Sequence, residues 1–258
     1  IELPDGERRL ELNEGQAFHS VYRPDTVLTD NVWDGYLSLP FAVLGREPRS
    51  IALLGNGAGT TVRAYARYFP RTAIDGVEID PELTEMGRKW FDLRDRPGLR
   101  LIHDDARPFL RRADRRYDAI FVDAYRQPYI PFYLTTREFF ALVRERLNPG
   151  GVVIVNAGHP EDSRDLEKVL AAGVRSAFPH VRAYDITPLS TLIVAGDRRP
   201  DPARVLAADV PDELRPLFDD TALGLRDAII GERAYTDDRA PVEWLIDRSI
   251  ITYAAEAD

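Results

Sequence analysis

Apolar and polar positions alternate in two short runs near the start of the chain, Arg9-Leu10-Glu11-Leu12 and Ala17-Phe18-His19-Ser20-Val21-Tyr22, with Asn13-Glu14-Gly15 between them as a turn. A period of two puts successive side chains on opposite faces of a strand, so this stretch predicts a small β-hairpin. From Trp33 to Leu44 apolar residues recur at near-helical spacing and stop before Gly45 and Pro48, which predicts a helix. Strand-length apolar runs then follow at Ile51 to Leu54, Ile74 to Glu78, Leu99 to His103, Ala119 to Asp123 and Val152 to Asn156. Between them lie helical patterns at Thr61 to Phe69, Pro81 to Phe91, Thr136 to Leu147 and Arg164 to Phe178, and two more strands are predicted at Val181 to Tyr184 and Thr191 to Val194. Alternation of this kind predicts an α/β fold, a doubly wound and mostly parallel sheet of seven strands with a Rossmann-like layout. Ligands of such sheets sit at the carboxyl ends of the strands, where the strand order reverses.

The pattern divides the chain into a hairpin unit with its linking helix at 1–45, the sheet domain at 46–200, and a C-terminal extension at 201–258. The Pro- and Asp-rich stretch Asp197 to Asp201 marks the second boundary. A chain that is 44% hydrophobic and 10% aromatic is rich enough to bury a core, which excludes disorder. Its net charge of -9 argues against a nucleic-acid partner, and the arginines at 111, 112, 115 and 116 read as a solvated helix end. With no cysteine there is no disulfide framework, thiolate nucleophile or cysteine-ligated metal, and no metal site is expected. No apolar run reaches the ~20 residues of a membrane span, so no membrane contact is expected from this segment. A cytoplasmic location is expected, but the chain begins at Ile1 rather than Met, so it is read as a piece of something longer.

The candidate chemistry begins at Leu54-Gly55-Asn56-Gly57-Ala58-Gly59-Thr60, a buried strand running through a glycine loop into a helix. Glycines let the backbone turn tightly and approach a ligand, and the helix start offers free N–H donors. About twenty residues on, the next strand ends in Val77-Glu78-Ile79-Asp80, where a carboxylate can accept from both hydroxyls of a ribose. The following one ends in His103-Asp104-Asp105-Ala106, in reach of a purine edge. Taken singly, Glu78 and Asp105 read as helix caps; three such features in order at three strand ends read as a nucleoside site. A nicotinamide cofactor would want G-x-x-G after the first pair of glycines, whereas here they fall at Gly55, Gly57 and Gly59, a spacing that favours S-adenosylmethionine-type ligands.

These pieces, with Tyr117-Asp118-Ala119-Ile120-Phe121-Val122-Asp123, Leu134-Thr135-Thr136-Arg137-Glu138-Phe139-Phe140 and Asn148-Pro149-Gly150-Gly151, resemble the spermidine synthase (polyamine aminopropyltransferase) family from about Leu10 to Gly196. Thr236-Asp237-Asp238-Arg239-Ala240-Pro241-Val242-Glu243 resembles its membrane-fused bacterial branch. The resemblance implies the class I S-adenosylmethionine-dependent methyltransferase fold, a ribose contact at Glu78, an adenine contact at Asp105 and Ala106, and Asp123 as the catalytic aspartate, with Tyr125 beside it. His19 falls where that family touches the methionine part of the ligand. The implied ligand is S-adenosylmethionine or its decarboxylated form, leaving S-adenosylhomocysteine or methylthioadenosine; the implied partners are a small-molecule acceptor and a second copy in a homodimer.

Two positions depart from the family pattern. Ala58 stands where its glycine loop carries an aspartate, and Arg126 where a second aspartate follows the catalytic one. Fewer carboxylates and an added guanidinium disfavour a polycation, so a less charged acceptor than a polyamine is expected, unless carboxylates such as Asp34 or Asp237 fill the gap. Tyr125, Tyr129, Phe132 and Tyr133 form an aromatic cluster that reads either as a cover over the sheet end or as an acceptor pocket. The functional expectation is a transferase moving an aminopropyl or methyl group; the alternative is a non-catalytic nucleoside-sensing domain of a membrane-associated protein.

Overall fold

A computed structural model of the chain describes residues 1–11, 18–125, 130–161 and 163–245. Strands β1 (Arg8–Glu11) and β2 (Phe18–Tyr22) pair antiparallel as the hairpin unit; the expected turn at Asn13-Glu14-Gly15 lies outside the described residues. Helix α1 (Val32–Leu44) begins where the Asn31 side chain accepts from Val32 N and ends on Gly45 at φ 68°. Every residue from Val32 to Val43 is buried, which makes it a core helix rather than an amphipathic surface one.

The main sheet is built from β3 (Ser50–Leu54), β4 (Ala73–Glu78), β5 (Leu99–His103), β6 (Tyr117–Val122), β7 (Leu147–Gly158), β8 (His180–Thr187), β9 (Ser190–Gly196) and β10 (Arg226–Asp227). Its spatial order is β10-β8-β9-β7-β6-β3-β4-β5. Neighbours from β7 to β5 run parallel, and β9 enters antiparallel between β7 and β8. The seven expected strands are β3 to β9; the two-residue β10 is an added edge. Connecting helices are α2 (Thr60–Tyr68), α3 (Pro81–Trp90), α4 (Ala106–Arg112), α5 (Arg137–Arg146) and α6 (Asp165–Ala177), followed by α7 (Pro202–Leu206) and α8 (Arg215–Gly224). Helices α7 and α8 are absent from the sequence reading, and of α4 only the arginine-rich end appears in it.

Period two sorts the core into two layers. On β3, Ile51 and Leu53 join Tyr36, Tyr65 and Phe218 on one face, while Ala52 and Leu54 join Phe139, Phe140 and Leu170 on the other. Tyr36 stacks on Phe121 with centroids 4.7 Å apart, which seats α1 directly on β6. The C-terminal helices pack outside α1: Phe41 meets Phe218 edge-on at 5.0 Å, and the Ser38 and Thr221 hydroxyls are 2.7 Å apart. Two carboxylates among the described residues are fully buried: Asp75 accepts from Arg100, Arg115 and the Tyr117 hydroxyl, and Glu167 accepts from Arg226. Arg115, read from the sequence as part of a solvated helix end, is thus the partner of a buried carboxylate. Among the described residues no helix is long and apolar enough to cross a membrane.

The parallel registers decide where the site lies. Leu54 is paired with Val77 and with Val122, Glu78 with His103, and Val122 with Val155. One residue further along, Gly55, Asp104 and Asp123 therefore leave the sheet beside Glu78 in a single row, with Asn156 alongside on β7, which runs on to Gly158 against β9. The order reverses here, since β4 and β5 continue from β3 on one side and β6 and β7 on the other.

Candidate active site

The glycine loop fits this row only because it lacks side chains. A Cβ on Gly55, at φ 93°, would stand 2.2 Å from the Asp123 carbonyl oxygen, and one on Gly57 would stand 2.9 Å from the His19 carbonyl oxygen. The loop is fastened from two directions. Gly57 N donates to Glu78 Oε2 at 2.8 Å, and Ala58 N donates to Ser20 Oγ at 2.8 Å. Thr60 Oγ1 accepts from Val21 N at 3.0 Å and donates to Val21 O at 3.1 Å, so the hairpin is stitched to the start of α2. Gly55→Ala should lower the melting temperature by several degrees, since the left-handed backbone alone costs an L-residue about 1–2 kcal/mol before the clash is relieved. Thermal denaturation followed by circular dichroism checks this; an unchanged transition would mean that β3 and β6 separate easily.

Asp123 is the half-buried carboxylate at the centre of the row. Asn156 Nδ2 donates to its Oδ1 at 2.8 Å. Burial pushes its carboxyl up to about 6, against the hydrogen bond from Asn156 and the influence of the nearby Tyr36 hydroxyl, with the charge of Glu78 adding to the rise. The Tyr36 hydroxyl is buried without a well-aligned partner, as are Asn156 Oδ1 and His19 Nε2. Burial also holds the His19 imidazole below its ordinary value, so it is the neutral form that faces the site.

At the other end of the row Asp105 caps α4, its Oδ1 accepting from Arg107 N at 3.1 Å, and its Oδ2 accepts from the Tyr133 hydroxyl at 2.6 Å. Together these groups line a cavity of about 730 Å³. Its walls include His19 and Phe18 from β2, Val32 and Trp33 from α1, Ile79 and Leu83, and Pro131, Phe132 and Tyr133 from the segment after β6. Six carboxylates line it, those of Glu78, Asp80, Asp104, Asp105, Asp123 and Glu243, and among the described residues no lysine or arginine does. Asp104 is paired outward with Arg112 and Glu78 spends an oxygen on the loop, whereas Asp123, held by Asn156, has no cationic partner among the described residues.

Residues 39–195 match the family model described as the spermine/spermidine synthase domain. The chain belongs to that family. Among curated relatives, it is 36% identical over 160 residues to a probable polyamine aminopropyl transferase of Bifidobacterium longum, covering 62% of this chain and 35% of that protein. It is 31% identical over 145 residues to a polyamine aminopropyltransferase of Vibrio vulnificus, covering 55% of this chain and 48% of that one. The chain thus spans between about a third and a half of the length of these two relatives. Among solved structures, a probable spermidine synthase from Corynebacterium glutamicum superposes with a TM-score of 0.65 at 21% identity, over 86% of each chain. Human methyltransferase-like protein 13 in complex with SAH superposes with a TM-score of 0.55 at 22% identity, over 74% of this chain and 87% of that one. Both likenesses establish the Rossmann-like class I fold.

The synthase-family fold brings Gly55, Gly57, Glu78, Asp105, Ala106, Asp123, Tyr125 and His19 to one cavity. Gly59 lies outside the lining and opens α2 at φ 92°, where a Cβ would stand 2.7 Å from Leu93. Packing alone already requires a glycine there. Tyr125 lines the cavity with its ring, but its hydroxyl donates to Asn156 O at 2.7 Å and accepts from Gly158 N at 3.0 Å, and burial raises it well above its ordinary value. These two bonds latch it to β7. Asp34 and Asp237 do not fill the gap left by the two departures. Asp34 accepts from Thr29 and Asp30, Asp237 from Arg107 and Thr136, and neither lines the cavity. Ala58 is buried in an apolar cluster with Leu10, Leu83 and Phe91; Arg126 and Tyr129 lie outside the described residues. Sequence reasoning missed Asn156, Tyr36 and Glu243. A polar residue closing an otherwise apolar strand was the available signal for Asn156; Tyr36 and Glu243 carried none.

Proposed function

We propose that this chain holds an aminopropyltransferase-type active site, which moves an aminopropyl group from decarboxylated S-adenosylmethionine to a cationic amine. The observation that carries this reading is the half-buried Asp123, without a cationic partner among the described residues, in a cavity lined by six carboxylates. Sulfonium and ammonium groups are both cations, and opposite charge in a partly desolvated cleft concentrates them. The names of the curated relatives, polyamine aminopropyltransferases, point to the same chemistry.

The residues fit such a ligand. Gly55 and Gly57 let the backbone approach it, Glu78 keeps lone pairs for two ribose hydroxyls, and Asp105 and Tyr133 frame the purine. The orphaned polar atoms of His19 and Asn156 offer it further hydrogen bonds. When bound, the sulfonium supplies an activated carbon and a neutral thioether as leaving group. Asp123 orients the attacking amine and takes the proton it sheds as the C–N bond forms and the C–S bond breaks. Asn156 holds that carboxylate in place. The lining favours an acceptor that stays cationic beyond its reacting nitrogen, and a diamine is the class we propose, in place of the less charged acceptor that Ala58 and Arg126 suggest.

Titration calorimetry with S-adenosylmethionine, its decarboxylated form and methylthioadenosine tests the donor, and release of methylthioadenosine in the presence of putrescine tests the transfer. The decarboxylated donor should bind about tenfold more tightly or better, because the intact one brings a further carboxylate into an acidic cavity. Tighter binding of the intact donor with formation of S-adenosylhomocysteine would favour methyl transfer. Binding with no turnover of any amine would leave nucleoside sensing.

A further inference from the structure

The family match ends at residue 195, yet the cavity takes one of its carboxylates, Glu243, from well beyond it. The segment that carries Glu243 is fastened to the two helix starts at the nucleoside end. Tyr235 O accepts from Arg137 N at 2.9 Å, Asp237 N donates to Glu138 Oε2 at 3.1 Å, and Val242 is fully buried in the cluster that holds Ile130, Leu134 and Phe139. The strongest tie is ionic. Arg107, whose side chain is only 8% exposed, forks onto Asp237 with Nη1–Oδ1 at 2.8 Å and Nη2–Oδ2 at 2.6 Å, and Thr136 Oγ1 adds a bond to Asp237 Oδ1 at 2.7 Å.

Arg107 also faces the cavity's frame. Its Nη1 donates to Tyr133 O at 3.1 Å, and the Tyr133 hydroxyl donates to Asp105. A chain of contacts thus runs from Asp237 through Arg107 and Tyr133 to Asp105. A guanidinium this buried needs a counter-charge, and without one it turns toward water and releases whatever else it holds. We propose that Asp237 is a positioning residue for the nucleoside end of the site: through Arg107 it fixes Tyr133 and Asp105, and it docks segment 235–245 as the wall that presents Glu243. This rests on the adenosyl-ligand reading above, and it makes the C-terminal extension part of the functional unit.

The test is calorimetry of methylthioadenosine with the wild type, Asp237→Asn and Asp237→Glu, well below each melting temperature, alongside limited trypsin cleavage after Arg239. Asp237→Asn should bind about tenfold more weakly, as expected for losing a bidentate ionic tie that orients the contacts, and Asp237→Glu should recover most of the affinity. Methylthioadenosine should slow cleavage after Arg239 in the wild type and not in Asp237→Asn. If Asp237→Asn does not fold, Arg107→Lys, which keeps the buried charge and loses the fork, carries the same expectation. Wild-type affinity in these variants, with only a lower melting temperature, would overturn the positioning role and leave the adenosyl site standing. Failure of the wild type itself to bind methylthioadenosine would overturn both.

Discussion

Asp123→Asn should slow transfer about 100-fold or more while leaving methylthioadenosine affinity within about threefold of the wild type, because the amide keeps the shape and loses the base. The pH dependence follows from the same residue. The Asp123 carboxyl titrates at about 6 because it is buried, and only its ionised form accepts a proton. kcat/KM should therefore fall as pH drops below about 6, a limb that reports the free enzyme's base and that the Asn variant should lack. Stability should move the opposite way. A carboxyl whose folded pKa is raised contributes stability that is complete below the unfolded range near 4 and is lost as pH rises through about 6. The amide never ionises, so Asp123→Asn should melt higher than the wild type at about pH 8 and no differently at about pH 4. A rate profile and two thermal melts check the whole set. Equal losses of binding and rate would make Asp123 a ligand contact instead, and an unchanged rate would leave the transfer without its base.

Glu78→Ala should weaken adenosyl-ligand binding by at least about 2 kcal/mol, roughly thirtyfold, because a carboxylate at a ribose makes charge-assisted bonds to two hydroxyls. The structure gives the effect a second source. Glu78 Oε2 accepts from Gly57 N and Oε1 from Asp80 N at 3.2 Å, so the variant also frees the glycine loop. Glu78→Gln separates the two. It retains one acceptor for Gly57 N and should keep the melting temperature, yet still bind methylthioadenosine more weakly than the wild type, since the amide offers a single neutral acceptor. Calorimetry on both variants decides; wild-type affinity in Glu78→Ala would reduce the residue to a strand-end brace.

What the sequence determined by itself is what local periodicity records. The apolar runs at Ile51, Ile74, Ala119 and Val152 are strands covered on both faces, while the one at Leu99 is a half-exposed edge strand, and exposure on a single element is written into the residues of that element. The glycine loop was legible for the same reason: its left-handed positions at Gly55, Gly57 and Gly59 are a property of seven consecutive residues. Glu78, Asp105 and Asp123 could be named because each closes such a run. Their partners could not. Asn156 meets Asp123 only because β7 lies beside β6 in register, and Ser20 and Thr60 join the hairpin to the loop across 38 and 39 residues. Tertiary structure also added contacts that residue types do not announce, since the Tyr125 hydroxyl meets the β7 backbone and Gly59 packs on Leu93. Most remote of all, Arg107 finds its counter-charge on Asp237, 130 residues along the chain. Pairings of this kind depend on strand order and on which helix covers which face, and no window of sequence contains them, because the energy that selects them is that of burying surfaces the whole chain supplies.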